Sequence, residues 1–229
     1  MARLPLLSDV IDFLLPDYCA VCGEPLTYGE QTVCLSCLNE LPFTGLDFSE
    51  NNPVTHILQS KFPVYKATAL LIYHKHGYSG KLIHALKYEG KQKTGLFMAR
   101  YLTPVLQSDP PDIIIPIPLH KKKLKRRGYN QLELFGKKLA ANLGARYRDD
   151  VLFKKIHTES QTTKSPVERW QNVKKSFAVK CRRSMTGKHV LLIDDVLTTG
   201  ATLSAAAEML LENCPDIRLS VAVMAFNWH

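Results

Sequence analysis

Two adjacent carboxylates, Asp194 and Asp195, come directly after a short apolar run near the end of the chain. The run, residues 190–193, is partly β-branched and predicts a strand that is buried on both faces. An Ala-, Leu-, Glu- and Met-rich helix is expected over 203–211. A strand that leads through a small-residue loop into a helix directs free backbone N–H groups at one point. The loop residues that would surround this point are Thr198, Thr199, Gly200, Ala201 and Thr202.

This loop predicts a phosphate site. Threonine hydroxyls add hydrogen-bond donors, and Gly200 lets a ligand approach the backbone. Carboxylates beside a phosphate would repel it unless they accept hydrogen bonds from sugar hydroxyls or hold a divalent cation. The alternative is that Thr199 merely caps the helix and the aspartates face solvent, which leaves the dense grouping of acids and threonines unexplained. The expected ligand is a ribose 5-phosphate with its metal.

Four cysteines near the start of the chain form two C-x-x-C pairs. Each pair brings two thiolates together, and two such pairs complete a tetrahedron of sulfur around zinc. One alternative is a set of disulfides, which a cytosolic setting disfavours. The other is a redox C-x-x-C pair, which would not occur twice in a short ribbon. Because four thiolates fill the coordination sphere, we expect a structural zinc ion. The expected ligands are Cys19, Cys22, Cys34 and Cys37.

A basic run follows the strand predicted over 112–115. The strand ends in a stiff loop with Pro116 and Pro118, at the strand end where open α/β sheets bind ligands. Such runs are usually a solvated face or a nucleic-acid contact. We expect the first cations to reach a pyrophosphate group and the others to face outward. The cations are Lys121, Lys122, Lys123, Lys125, Arg126 and Arg127.

The composition bounds the architecture. The chain has 229 residues, 45% of them apolar, and a net charge of +9, which favours a polyanionic partner. No apolar stretch approaches a membrane span and no signal peptide is evident, so we expect a cytoplasmic protein. Neither a P-loop nor a G-x-G-x-x-G stretch occurs.

Strands that alternate with helices predict an α/β fold with a parallel sheet. We expect strands over 67–73, 112–115, 151–156, 190–193 and 219–226, and helices over 4–15, 79–88, 96–106, 128–143 and 203–211. Residues 157–164 are polar and suit a mobile flap, and a helix should begin near Ser165. The turn-rich stretch 42–61 predicts a boundary between an N-terminal part, 1–62, and a larger domain, 63–229.

Residues 190–202 resemble the PRPP-binding signature of type I phosphoribosyltransferases. Over nearly its whole length the chain is similar to the ComF competence family of phosphoribosyltransferase-like proteins. Tyr129 stands where that family usually has phenylalanine, and lysines occupy several of its arginine positions. The stretches that carry the resemblance are the two C-x-x-C pairs, 86–90, 116–120, 127–131, Thr158-x-x-Gln161, Arg169-x-x-Asn172 and the signature.

The resemblance implies a type I phosphoribosyltransferase fold, with parallel strands flanked by helices and a small N-terminal four-cysteine zinc ribbon. It implies that Asp194 and Asp195 bind the ribose hydroxyls of PRPP together with Mg²⁺, and that residues 198–202 wrap its 5-phosphate. A flexible loop would offer Gln161 and Arg169. The implied pyrophosphate loop consists of Pro118, Leu119, His120 and Lys121.

The resemblance also implies a role in DNA uptake during natural transformation, with single-stranded DNA and an ATP-driven DNA translocase as partners. As an enzyme the protein would transfer phosphoribosyl from PRPP to an acceptor that the sequence leaves open. No catalytic residue is assigned, because displacement of pyrophosphate at ribose C1 needs no nucleophile on the enzyme. The alternative is a non-catalytic, PRPP-regulated module that binds single-stranded DNA. Its candidate contacts are Lys122, Lys123, Lys125, Arg126 and Arg127.

Overall fold

A five-stranded parallel sheet forms the centre of the protein. The computed structural model describes residues 17–154, 176–180 and 183–228. The sheet contains β1 (Ala67–Ile72), β2 (Ile113–Pro116), β3 (Arg146–Tyr147), β6 (His189–Leu197) and β7 (Arg218–Phe226), in the order β1-β7-β6-β2-β3. Because every neighbouring pair is parallel, the carboxyl ends of all five strands meet at one edge.

The core lies along the central strands. Residues 190–193 and 219–226 are buried throughout, as expected for strands that are covered on both faces. Helices α4 (Lys93–Leu106) and α6 (Glu133–Leu143) pack on each other, and α6 also contacts β2 and β3. The remaining helices are α1 (Leu35–Asn39), α2 (Pro53–Gln59), α3 (Tyr78–Tyr88), α5 (Lys121–Arg127) and α7 (Ala201–Asn213). The predicted α/β fold with a parallel sheet is confirmed.

Two helices occupy stretches whose composition predicted turns or an exposed run of charge. Helix α2 lies in the turn-rich stretch 42–61, where the Asn52 side chain accepts from the Thr55 N–H at 3.0 Å and Pro53 follows. Helix α5 covers the basic run, with the His120 side chain as its N-cap and Gly128 ending it at φ 79°. Local capping therefore outweighed composition in both places.

The strand predicted over 151–156 lies outside the parallel sheet. Its described part, β4 (Leu152–Lys154), pairs antiparallel with β5 (Phe177–Val179) as a separate two-stranded sheet. The predicted helix over 4–15, the flap over 157–164 and the helix from Ser165 lie outside the described residues.

The N-terminal part covers the open edge of β1. The Thr44 N–H donates to the Leu70 carbonyl at 3.0 Å, and the Ile72 N–H donates to the Pro42 carbonyl at 2.8 Å. A sheet edge paired in this way cannot recruit another strand. The boundary at residue 62 remains a prediction. Within the described residues, no helix combines the length and apolarity that a membrane crossing requires.

Gly136 allows α6 to approach the sheet closely. A Cβ atom there would lie 2.7 Å from Ile193 Cδ1 and would also press on the Tyr147 ring. We expect Gly136→Ala to lower the free energy of unfolding by about 1–3 kcal/mol, because overpacking forces neighbours to shift. Denaturant unfolding measures this, with Ala141→Ser on the exposed side of α6 as the control. An unchanged midpoint for Gly136→Ala would contradict the packing.

Candidate functional site

The acid pair lies inside β6 and not in the loop that follows it. The strand continues to Leu197, and Asp194 is paired with Val223 of β7. The strand predicted over 190–193 is therefore longer than expected and includes both acids. Successive side chains of a strand point to opposite faces, so the two carboxylates have different surroundings.

Asp195 is buried and fully engaged by donors from two other elements. Only 8% of its surface is exposed. Lys87 Nζ, near the end of α3, lies 2.6 Å from Asp195 Oδ1, and Gln131 Nε2 donates to Asp195 Oδ2 at 2.5 Å. A buried carboxylate keeps its charge at low cost only with such partners. Sequence reasoning singled out the motifs that contain Lys87 and Gln131 but gave neither residue a role.

A second layer of contacts holds Gln131 in place. Arg127 Nη1 donates to Gln131 Oε1 at 2.7 Å, and the Arg127 guanidinium lies 4.9 Å from the centroid of the Tyr88 ring. The Tyr129 hydroxyl donates to the Leu86 carbonyl at 2.5 Å. The end of α5 and the end of α3 are therefore joined beside Asp195.

Asp194 has no such compensation. This side chain is half-buried, and its Oδ1 accepts the Asp195 N–H at 2.8 Å. Burial and then the negative charge of Asp195 raise the pKa of Asp194 to about 8, although Lys87 and Lys154 act in the opposite direction. Burial and the nearby Lys123 lower the pKa of Lys154, so β4 places a second cation in the surroundings of Asp194. Sequence reasoning missed Lys154.

The loop after β6 presents backbone donors that nothing in the described structure occupies. Thr198 and Thr199 are exposed, and Gly200 is buried with φ 77° at the start of α7. Within the described residues, the N–H groups of 198, 199, 200, 202 and 203 have no acceptor. Thr199 does not cap the helix well, since its Oγ1 lies 3.5 Å from the Ala201 nitrogen. Ala201 and Thr202 are half-buried in the first turn of α7.

Lys61 lies against this loop from the N-terminal part of the chain. A Cβ atom on Gly200 would lie 3.1 Å from Lys61 Cδ and 3.2 Å from Cε. Only glycine combines the positive φ with the space that the lysine stem requires. Sequence reasoning missed Lys61 because nothing local connects it with a loop so distant in the chain.

The loop after β2 lies at the same edge of the sheet. The Ile117 N–H donates to the Ile193 carbonyl at 2.9 Å, which brings this loop beside Asp194. Pro118, Leu119 and His120 are half-buried, and Lys121 opens α5. The order of the cations differs from the expectation: residues 121–126 are exposed, whereas Arg127 is half-buried against Gln131. Gln161 and Arg169 lie outside the described residues.

The four cysteines converge as their spacing predicts. Their Sγ atoms all lie within 4.8 Å of one another. Burial alone would raise the pKa of Cys19, but hydrogen bonds from the backbone of Cys22, Cys34 and Val21 lower it to about 6, which favours the thiolate. Gly23 has the left-handed conformation expected after a C-x-x-C turn, with φ 80°. This cluster could hold a zinc ion.

Comparisons with known proteins agree with this architecture. Residues 133–226 match the family described as "Phosphoribosyl transferase domain". The chain is 28% identical over 216 residues to the DNA utilization protein YhgH of Escherichia coli O6:H1, which covers 87% of this chain and 92% of that protein. It is 35% identical over 101 residues to Competence protein F of Haemophilus influenzae (44% of each chain). It is 37% identical over 100 residues to Competence protein ComFC of Bacillus subtilis (44% of this chain and 38% of that protein).

Solved structures show a weaker likeness. The glutamine phosphoribosylpyrophosphate amidotransferase from B. subtilis is 16% identical, with a TM-score of 0.40 over 61% of this chain and 30% of that chain. The purine phosphoribosyltransferase from Pyrococcus horikoshii is 16% identical, with a TM-score of 0.36 over 59% of this chain and 85% of that chain. Likenesses this low carry no conclusion of their own.

The raised pKa of Asp194 predicts how its replacement changes stability. In the unfolded chain Asp194 loses its proton near pH 3.8, whereas in the folded protein it keeps the proton up to about pH 8. The folded state therefore loses stability as the pH rises between these two values. We expect Asp194→Asn to be more stable than the natural chain above pH 8 by at least about 1.4 kcal/mol, the equivalent of one pKa unit, and equally stable near pH 3. Denaturant unfolding across this range measures the difference.

The matched control is Asp112→Asn, for which the sign is opposite. A hydrogen bond from the His189 N–H lowers the pKa of Asp112. This replacement should therefore lower stability at neutral pH. Equal stability of Asp194→Asn and the natural chain at pH 9 would contradict the description of the acid pair.

The fold, the motifs and the relatives agree with one another. The loop after β6, the acid pair and α7 all lie inside residues 133–226, and the alignment with YhgH extends over 87% of the chain. The chain is therefore a homologue of the DNA utilization and competence F proteins, with the phosphoribosyltransferase fold and a cluster of four cysteines near its N-terminus.

Proposed function

We propose that the protein binds PRPP with Mg²⁺ at the carboxyl edge of its sheet. The observation that carries this proposal is the group of N–H donors at 198–200, 202 and 203, which have no acceptor among the described residues and lie directly after an acid pair. A phosphate would accept from these donors at the positive end of α7, with the Lys61 ammonium nearby. Ribose hydroxyls would donate to Asp194, and Asp195 would be held rigid by Lys87 and Gln131.

The surroundings of Asp194 fit a divalent cation. Its pKa is raised by burial and then by the negative charge of Asp195, and a cation brought with the ligand would favour the charged carboxylate. Mg²⁺ prefers one or two carboxylates together with phosphate oxygens and water. Asp194, with oxygens of the ligand, would hold it. Its chemistry would be neutralisation of the charge on the leaving pyrophosphate.

The reaction that this arrangement supports is transfer of phosphoribosyl to an acceptor. The bond between ribose C1 and pyrophosphate breaks, a bond from C1 to the acceptor forms, and the acceptor loses a proton. The protein would contribute positioning and electrostatics, with no nucleophile of its own. The residues 118–121 would bind the pyrophosphate group. Gln161 and Arg169 are proposed to contact PRPP from the flexible loop.

The names of the relatives support a role in the handling of DNA. We infer that this protein acts in DNA uptake, with a DNA translocase as a proposed partner. The second candidate function, a PRPP-regulated module that binds single-stranded DNA, is favoured by one observation. Helix α5 exposes Lys121, Lys122, Lys123, Lys125 and Arg126 beside the proposed PRPP site, and Arg127 at its end reaches Asp195 through Gln131.

Binding of PRPP tests the proposed site. We expect Thr199→Glu to weaken the affinity for PRPP in the presence of Mg²⁺ at least about tenfold, because a carboxylate would stand where the phosphate binds. Thr199 is exposed, so the fold should be unaffected. Isothermal titration calorimetry measures the affinity, with Thr27→Glu on the exposed ribbon as the control of equal charge. Equal affinities for the two variants would refute the site.

A further assay separates the two candidate functions. Release of pyrophosphate from PRPP with a nucleobase or amine acceptor would establish transfer. Salt-sensitive binding of single-stranded DNA that is lost when the exposed cations of α5 are neutralised, without turnover, would establish the module.

Removal of one cysteine tests the proposed structural zinc. We expect Cys34→Ser to abolish stoichiometric zinc and to unfold the ribbon locally, because a four-thiolate site loses a ligand that the serine hydroxyl does not replace. Metal analysis of the purified chain measures this, with Ser36→Ala in the same turn of α1 as the control. One equivalent of zinc retained by Cys34→Ser would contradict the four-cysteine site.

A further inference from the structure

A cleft of about 410 Å³ lies between the cysteine ribbon and the first half of α3. It is distinct from the loop after β6, because none of the residues 194–203 lines it. Cavities of this size are typical of small-molecule sites. Its polar lining consists of Cys19, Cys22, Lys75, His76, Lys81, His84, Glu89 and Lys91.

The turn that carries Lys75 and His76 has a tightly packed backbone. A Cβ atom on Gly80 would clash with the carbonyl oxygens of His74 and Lys75, so this turn packs directly on the helix backbone. The His74 N–H donates to the Ser79 hydroxyl at 3.0 Å and closes the turn. The two basic side chains of the wall therefore start from a fixed backbone.

The cleft has an excess of positive charge. Its one carboxylate, Glu89, is already shared by His84 Nδ1 at 3.0 Å and Lys91 Nζ at 3.5 Å. Within the described part of the chain, no carboxylate lies within 4.0 Å of the ammonium of Lys75 or Lys81. Two uncompensated ammonium groups on one small cleft favour an anion.

A simpler role for these lysines would be to balance the charge of a metal-bound thiolate cluster. Only Lys91 reaches the ribbon backbone, with Nζ 3.5 Å from the Cys19 carbonyl oxygen. Lys75 and Lys81 have no such contact within the described residues. The Lys81 ammonium lies over the Tyr78 ring, 5.9 Å from its centroid, and this long contact leaves it, like Lys75, available to a ligand.

We propose that this cleft binds a nucleoside monophosphate, with the phosphate between Lys75 and Lys81 and the base beside His84. The His84 ring lies 5.0 Å from the Tyr88 ring, centroid to centroid, and Tyr88 is 58% exposed. Of the two rings, His84 lines the cleft and offers a base a stacking surface next to the cations, whereas the Tyr88 ring already carries the Arg127 guanidinium 4.9 Å from its centroid. The same helix, α3, carries Lys87, which contacts Asp195, so the cleft and the acid pair share one helix.

The site goes beyond the proposed PRPP site and does not require it. Strand β1 ends at Ile72, so the cleft and the loop after β6 lie at the same edge of the sheet. Helix α3 contributes to the cleft near its start and to the acid pair at its end. A nucleotide in the cleft would therefore lie within one helix length of the acid pair.

Titration of adenosine 5′-monophosphate into the full-length, zinc-loaded chain tests the cleft. We expect the double variant Lys75→Gln/Lys81→Gln to bind the nucleotide about tenfold more weakly than the natural chain. The control is Lys137→Gln/Lys138→Gln, which removes two exposed lysines from α6 and should bind normally. Thr199→Glu should also bind normally, because it alters only the loop after β6.

Three outcomes would overturn the proposal. The cleft and control variants could bind the nucleotide equally well. Binding could be lost in Thr199→Glu, which would place the nucleotide in the loop after β6. Finally, Lys75→Gln/Lys81→Gln could lose zinc to a chelator more readily than the control, with nucleotide affinity unchanged, which would assign the lysines to the thiolate cluster. Because the loop variant is measured separately, failure of the cleft and failure of the PRPP site are distinguishable.

Discussion

Two neighbouring carboxylates in a buried strand are the constraint on which the site depends. Asp195 is compensated by Lys87 and Gln131, so its charge is accounted for within the protein. Asp194 is not, and burial beside a second acid raises its pKa to about 8. Such an arrangement disfavours the folded chain by itself and is relieved by a ligand that brings hydrogen-bond donors or a cation. Strain of this kind is typical of binding sites.

The loop after β6 has the opposite requirement. Its N–H groups need acceptors, and α7 directs the positive end of its dipole to the same place. Asp194, which needs a donor or a cation, and the amides that need acceptors lie within ten residues of one another at the end of β6 and the start of α7. A phosphorylated sugar supplies both in one molecule. Other parts of the chain add cations to this site: α3 contributes Lys87, β4 contributes Lys154 and the N-terminal part contributes Lys61.

Local signals in the sequence predicted the central elements well. Buried apolar runs identified β1, β2, β6 and β7, and the C-x-x-C spacing identified the cysteine cluster. The described end of the strand predicted over 151–156 could not be assigned to the right sheet, because an apolar run does not reveal its pairing partner. Helix α5 was missed because composition suggested only an exposed basic run, whereas His120 and Gly128 cap it.

Contacts between residues that are distant in sequence could not be predicted from local patterns. Lys87 and Asp195 are 108 residues apart, and Gln131 and Asp195 are 64 apart. Their approach depends on how α3 and the turn between α5 and α6 are placed at the edge of the sheet, which no periodicity in the sequence records. The extension of β6 through the acids was missed for a related reason. Pairing with β7 continues past Ile193 and overrides the low strand preference of aspartate.

Amide NMR spectra recorded with and without PRPP and Mg²⁺ test the central claim most directly. The backbone N–H groups of residues 198–203 should show the largest shifts and become slower to exchange, because the bound phosphate would replace solvent water as their acceptor. Unchanged resonances for these residues at a saturating concentration of PRPP, or shifts confined to another part of the chain, would contradict the account.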